Sequence, residues 1–109
     1  MANIYRNAKV DFTNTDNTTV YTSPSNSRAI VKSILVSDDS GSGDSINVTL
    51  TDASAAVFSL FKTKAIASNA TTELITQPIG LEESEILKAQ ATTAGRLHVV
   101  ISLLEINRD

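Results

Sequence analysis

Arg96-Leu97-His98-Val99-Val100-Ile101-Ser102-Leu103-Leu104-Glu105-Ile106 is the last long apolar run of the chain, and its reading decides the fold. Leu97, Val99, Ile101 and Leu103 recur at every second residue, the spacing that puts strand side chains on one face. The intervening positions His98, Val100, Ser102 and Leu104 are half apolar. A strand apolar on one face covers a core; one apolar on both faces is central, or meets a partner. The run therefore predicts an inner strand with Leu97, Val99, Ile101 and Leu103 turned to the core. Val100 and Leu104 are left for a second layer, either a neighbouring loop or another subunit.

Working outward, residues 28–37 carry a second such run, Ala29-Ile30-Val31-Lys32-Ser33-Ile34-Leu35-Val36. Unbroken alternation places Ile30, Ile34 and Val36 on one face, interrupted by Lys32, and Ala29, Val31 and Leu35 on the other. Residues 46–52 form the cleanest amphipathic strand, with Ile46, Val48 and Leu50 inward. A hairpin turn at 52–55 leads into 56–61, dense in apolar residues on both faces, so that Phe58 and Phe61 read as core. A turn at 68–71 opens a strand at 72–76, and Gln77-Pro78-Ile79-Gly80 breaks the ladder, since proline removes a donor. Residues 81–91 read as a tight acidic turn followed by a strand from Glu85 to Ala91, with a short helical turn as the alternative. Gly95 is placed at the left-handed position of the loop 92–95.

Toward the start, residues 18–22 are a short strand between the polar turn 14–17 and the Pro24 region. Residues 1–13 read as an extended N-terminal arm or an edge strand. Seven or eight short strands with regularly spaced turn signals predict an all-β fold, a single small antiparallel β-sandwich of jelly-roll or Ig-like type spanning residues 1–109. About 25 buried apolar side chains at ~1.5–3 kcal/mol each give a gross gain that conformational entropy largely cancels. Association covering the doubly apolar strands would add stability, so an oligomer is expected.

Composition narrows the function. There is no cysteine, which excludes disulfides, thiolate metal sites and a Cys nucleophile. The net charge of -3 is mild and dispersed, unlike the basic face of a nucleic-acid binder. No apolar stretch follows Arg6 as in a signal peptide, and no run is long enough to span a membrane. The Asn-x-Ser/Thr sequons at Asn17, Asn47 and Asn69 are by-products of a composition about one quarter Ser and Thr.

Candidate chemistry is thin. His98 is the only histidine and has no sequence-adjacent ligand or paired carboxylate. Asp38, Asp39 and Asp44 lack the spacing of a calcium loop and read as a solvated hairpin. Glu82, Glu83 and Glu85 are neighbours in a turn and cannot flank a bond as opposed acids do. No phosphate loop or nucleophile elbow is present. Catalytic residues, metal ligands and cofactors are therefore expected to be none.

Four segments together resemble a known family: Thr19-Val20-Tyr21-Thr22-Ser23-Pro24, Ala29-Ile30-Val31-Lys32-Ser33-Ile34-Leu35-Val36, Glu73-Leu74-Ile75-Thr76-Gln77-Pro78, and the closing run from Leu97 to Ile106. Their order and spacing are similar to small virion structural proteins of tailed bacteriophages, particularly marine and cyanobacterial T4-like phages. The resemblance implies a β-sandwich that performs no reaction and sits in the virion, assembled in the host bacterial cytoplasm. It implies binding to the major capsid protein or other virion proteins as a capsid decoration (cement) protein, with a homo-oligomer, a trimer first, and no direct nucleic-acid or membrane partner. Alternatives are a neck or tail ring or collar component and a glycan-binding module on the particle exterior. Ile4, Tyr5, Arg6, Lys9, Val100 and Leu104 are the expected partner interface.

Overall fold

The computed structural model describes residues 2–107. They form strands β1 (Ala2–Asp11), β2 (Thr18–Thr22), β3 (Ser27–Asp38), β4 (Asp44–Thr51), β5 (Val57–Ile66), β6 (Thr71–Glu73), β7 (Ile79–Leu81), β8 (Ile86–Ala91) and β9 (Leu97–Asn107). One sheet has the order β1-β9-β3-β6, with β7 also on β3; the other runs β2-β8-β4-β5. Every pairing is antiparallel.

The pairings nest. β4 pairs with β5, β3 with β6 and β7, β2 with β8, and β1 with β9. The chain is thus one long double ribbon, folded at the β4–β5 hairpin and rolled so that its halves alternate between sheets. That is the jelly-roll arrangement of a β-sandwich. At the hairpin tip, Asp52 Oδ1 accepts the N–H groups of Ser54 and Ala56, both at 2.9 Å.

β9 is the spine of its sheet, paired along its length with β1 and β3. Leu97, Val99, Ile101 and Leu103 are all buried in the core, as the two-residue period predicts. They meet Ala29, Val31, Ile34 and Val36 of β3 and Ile46, Val48, Leu87 and Ala89 of the opposite sheet. Phe12 closes one end of the sandwich, held by its N–H to Leu97 O and by Gly95 N–H to its own carbonyl at 2.8 Å. Gly95 is in the left-handed region (φ 78), where glycine carries no steric penalty.

The face assignment of residues 28–37 needs correcting. The ladder to β9 shifts between Val31 and Ser33, a β-bulge that admits one extra residue and reverses the phase of the rest of the strand. Ala29, Val31, Ile34 and Val36 therefore all face the core, while Ile30 and Leu35 face outward.

The strand count changes, and two open alternatives resolve. Nine strands replace seven or eight, because the strand expected at 72–76 stops at Glu73 and pairing with β3 resumes at Ile79. Between them the chain leaves the ladder to bury Leu74 and Ile75, and the Glu73 carboxylate takes the N–H of Ile34 at 2.7 Å in place of a ladder carbonyl. Residues 2–11 form an edge strand paired with β9, not a free arm. Residues 82–85 are a tight turn, closed by Glu85 N–H to Glu82 O at 3.1 Å, and β8 begins at Ile86.

Candidate interaction surface

In an antiparallel sheet directly paired residues project from the same face. On the face of the β9 sheet turned away from the core, register therefore builds rows. One runs Tyr5–Leu104–Ile30–Gly80 across β1, β9, β3 and β7. Another runs Lys9–Val100–Leu35–Glu73, ending on β6. Tyr5 is 64% exposed and Val100 and Leu35 each 38%, so this face shows water a line of apolar side chains.

Of the expected interface, Tyr5, Lys9, Val100 and Leu104 stand together on this outer face. Ile4 and Arg6 do not. They pair with Glu105 and Leu103, whose side chains point inward. The Ile30, Leu35 and Gly80 half of the surface is hidden from the sequence by the bulge, which sends Ile30 and Leu35 outward together.

Glu105 is a buried carboxylate at the core side of β9. It accepts the Tyr21 hydroxyl at 2.5 Å and lies 3.8 Å from Arg6 Nη1. Burial, then the hydrogen bond to Glu105 and its charge, push the Tyr21 phenol well above its ordinary value, with Arg6 opposing. The group is a structural tie between the sheets.

Asp38 is buried at the end of β3, where a solvated turn residue was expected. Its Oδ1 accepts the Ser40 N–H at 2.8 Å and the Ser40 hydroxyl at 2.5 Å, and its Oδ2 accepts the Gly43 N–H at 2.6 Å. The Ser40 hydroxyl above all, with backbone N–H groups, holds the carboxyl below the usual carboxylate range against the effect of burial. It is the keystone of the 39–43 loop.

His98 is not isolated. Its Nε2 lies 3.1 Å from Asp11 Oδ1 and its Nδ1 3.8 Å from Asp39 Oδ2. Asp11 is its direct cross-strand partner, which sequence separation conceals. All three are exposed or half-exposed, and among the described residues no cluster of three or more His, Cys, Asp or Glu is able to hold a metal ion.

A second apolar patch lies on the other sheet. Val57 and Phe58, at the start of edge strand β5, are 61% and 54% exposed. Phe58, expected in the core, lies outside it, because β5 runs beyond the cover of the opposing sheet; Phe61, farther along, packs against the core. A hollow of about 550 Å³ lies at the sandwich end by Arg28, Leu50 and Leu81, and another of about 250 Å³ by Lys9, His98 and Val100.

No protein-family model matches this sequence, and no curated protein is similar to it. Solved structures share its fold. A chain of the pili formed by Bacillus endospore appendages, a disulfide-linked family, matches with a TM-score of 0.57 at 9% identity, over 98% of this chain and 89% of that one. A chain of the acidic stable capsid structure of Helicobacter pylori bacteriophage KHP30 matches with a TM-score of 0.56 at 11% identity, over 97% and 89%. A weaker likeness, TM-score 0.48 at 18% identity over 95% and 61%, joins it to a pentameric capsid protein from metagenomic phage sequences.

Proposed function

We propose that this chain is a structural protein of a phage particle that binds the capsid shell and reinforces it, performing no reaction. The observation that carries the reading is the presence of two separate apolar patches on one small jelly roll. Tyr5, Leu104, Val100 and Leu35 lie on the outside of one sheet, and Val57 and Phe58 on the edge of the other. A bridging protein needs two contact surfaces, and many weak contacts repeated over a shell add up by multivalency. The fold shared with a chain of a phage capsid supports this class of role. In this reading Val57 and Phe58 meet the shell subunit, the protein resides in the virion, and it assembles in the host cytoplasm.

The other shared fold is that of a disulfide-linked pilus chain, and this sequence, lacking cysteine, has no means to make such links. A neck or tail ring would use the same surfaces at low copy number. The test is quantitative mass spectrometry of purified particles, with this chain traced in a cryo-EM map. Dozens of copies or more, spread over the shell with Val57 and Phe58 against it, are expected. Fewer than a few dozen copies confined to one vertex would move the chain to the neck or tail. Absence from particles would end the particle reading.

A further inference from the structure

We propose that the outer face of the β9 sheet is a self-complementary surface on which two copies of this chain pack face to face. This pairing is independent of the particle reading, since it rests on sheet register alone.

The face has four columns: β1, β9, β3, and β6 with β7. A two-fold axis parallel to the strands, set between β9 and β3, lays each row of one copy on the same row of the other, reversed end for end. In the row Lys9–Val100–Leu35–Glu73, the ammonium of Lys9 then falls over the carboxylate of Glu73 in the second copy, and Val100 over Leu35. In the row Tyr5–Leu104–Ile30–Gly80, Leu104 falls over Ile30, and Tyr5 over Gly80. Tyr5 is the most exposed large apolar residue of the described chain, and Gly80 has nothing within 4 Å of where a side chain would begin. Knob meets hole, cation meets anion, and apolar meets apolar, each twice by symmetry. The hollow beside Lys9 and Val100 lies where Leu35 of the second copy arrives. Arg28 and Lys32 fall over Ile106 and near Ser102, where their aliphatic stems can lie.

Size is adequate. Four strands about 4.8 Å apart and about eight residues long give a flat footprint of roughly 500 Å² per copy before side-chain relief, toward the low end of specific interfaces. Stacked twisted sheets cross at about 30°, so the fit is closest on the axis and the long side chains of Tyr5 and Lys9 span the widening gap. The arrangement closes at two copies, in place of the trimer that the family resemblance implied.

Sedimentation of the full chain across ~1–100 μM tests this, a range that reaches the weak association expected of an interface toward the low end in size. The wild type is expected to dimerise. Gly80→Trp, at a position of ordinary φ with open space, and Tyr5→Asp are each expected to weaken the dimer tenfold or more while melting like the wild type. Lys9→Glu and Glu73→Lys are each expected to weaken it by a similar factor, and an equimolar mixture of the two to restore it, since only the mixed pair has both contacts of opposite sign. If Glu73→Lys fails to fold, because that carboxylate also holds Ile34 N–H, Gly80→Trp and Tyr5→Asp decide alone. A wild type monomeric throughout, a dimer indifferent to Gly80→Trp and Tyr5→Asp, or a mixture of folded charge variants no tighter than either alone would overturn the proposal. A dimer from a protein absent from particles would keep this inference and remove the particle reading.

Discussion

The hydroxyl of Tyr21, on one sheet, donates to the buried carboxylate of Glu105, on the other, at 2.5 Å. This polar contact crosses the interior of the sandwich and joins a strand of five residues to one of eleven. Tyr21→Phe should therefore cost about 1–3 kcal/mol, because it leaves a buried charged acceptor short of a donor. Urea unfolding at neutral pH gives the value; a midpoint unchanged from wild type would mean that the bond contributes nothing net.

The same pair sets an alkaline limit. The Tyr21 phenol is raised in the folded chain, chiefly by burial and next by Glu105. A raised group contributes stability that is full below the unfolded value, near pH 10, and is lost as pH climbs from there through the folded value. Denaturation midpoints should fall above about pH 10 in the wild type and less steeply in Tyr21→Phe.

Asp38 sets the acid limit with the opposite sign. Its carboxyl is depressed in the folded state, first by the Ser40 hydroxyl. That contribution is present above the unfolded value, near pH 4, and is lost as pH falls through the folded one. Asp38→Asn should lower the melting temperature at neutral pH and flatten its decline in acid; a parallel decline would show that other carboxylates govern acid unfolding.

The two faces of β9 should respond differently to truncation. Ile101→Ala and Leu103→Ala are expected to cost about 2–5 kcal/mol each, since they empty a closed core. Val100→Ala, on the exposed face, should cost less than about 1 kcal/mol. Chemical denaturation of the three variants reads the contrast directly.

A single-residue deletion makes the sharpest test of the bulge. Removing Lys32 joins Val31 to Ser33 and restores a regular ladder with both halves of β3 in their present phase, so the chain should fold. Removing Leu35 turns Val36 outward, at ~1.5–3 kcal/mol per buried aliphatic side chain, and displaces the Asp38 keystone as well. Circular dichroism of the two deletions should show one sheet-rich protein and one unfolded chain.

How far the sequence carries can be judged at particular residues. The period of Leu97 to Leu103 is a local property, and it locates the inner strand and its core face. The reversal at Lys32 is invisible in the same terms, because a bulge is imposed by the register of β9 against β3. Phe58 misleads for a related reason: strand patterning says which face a residue is on, but not whether an opposing sheet extends far enough to cover it. Leu74 and Ile75 are buried from an irregular segment that has no period to read. The outer-face rows are half legible: Tyr5, Lys9, Val100 and Leu104 stand out in the sequence, but Gly80 gains its significance only from being three strands away from Tyr5.

The nested pairing has a kinetic consequence. The β4–β5 hairpin closes over a short loop, whereas β1 must wait for β9, a partner at the far end of the described chain. β9 also lies between β1 and β3, so β1 has no partner, and β3 is paired only along its other edge by β6 and β7, until the last strand arrives. Refolding should start at the hairpin and proceed outward, on the millisecond-to-second scale typical of topologies dominated by distant contacts. During synthesis, β1 leaves the ribosome early and stays unpaired until β9 follows, the interval in which this chain is most open to capture by a chaperone or by another copy of itself.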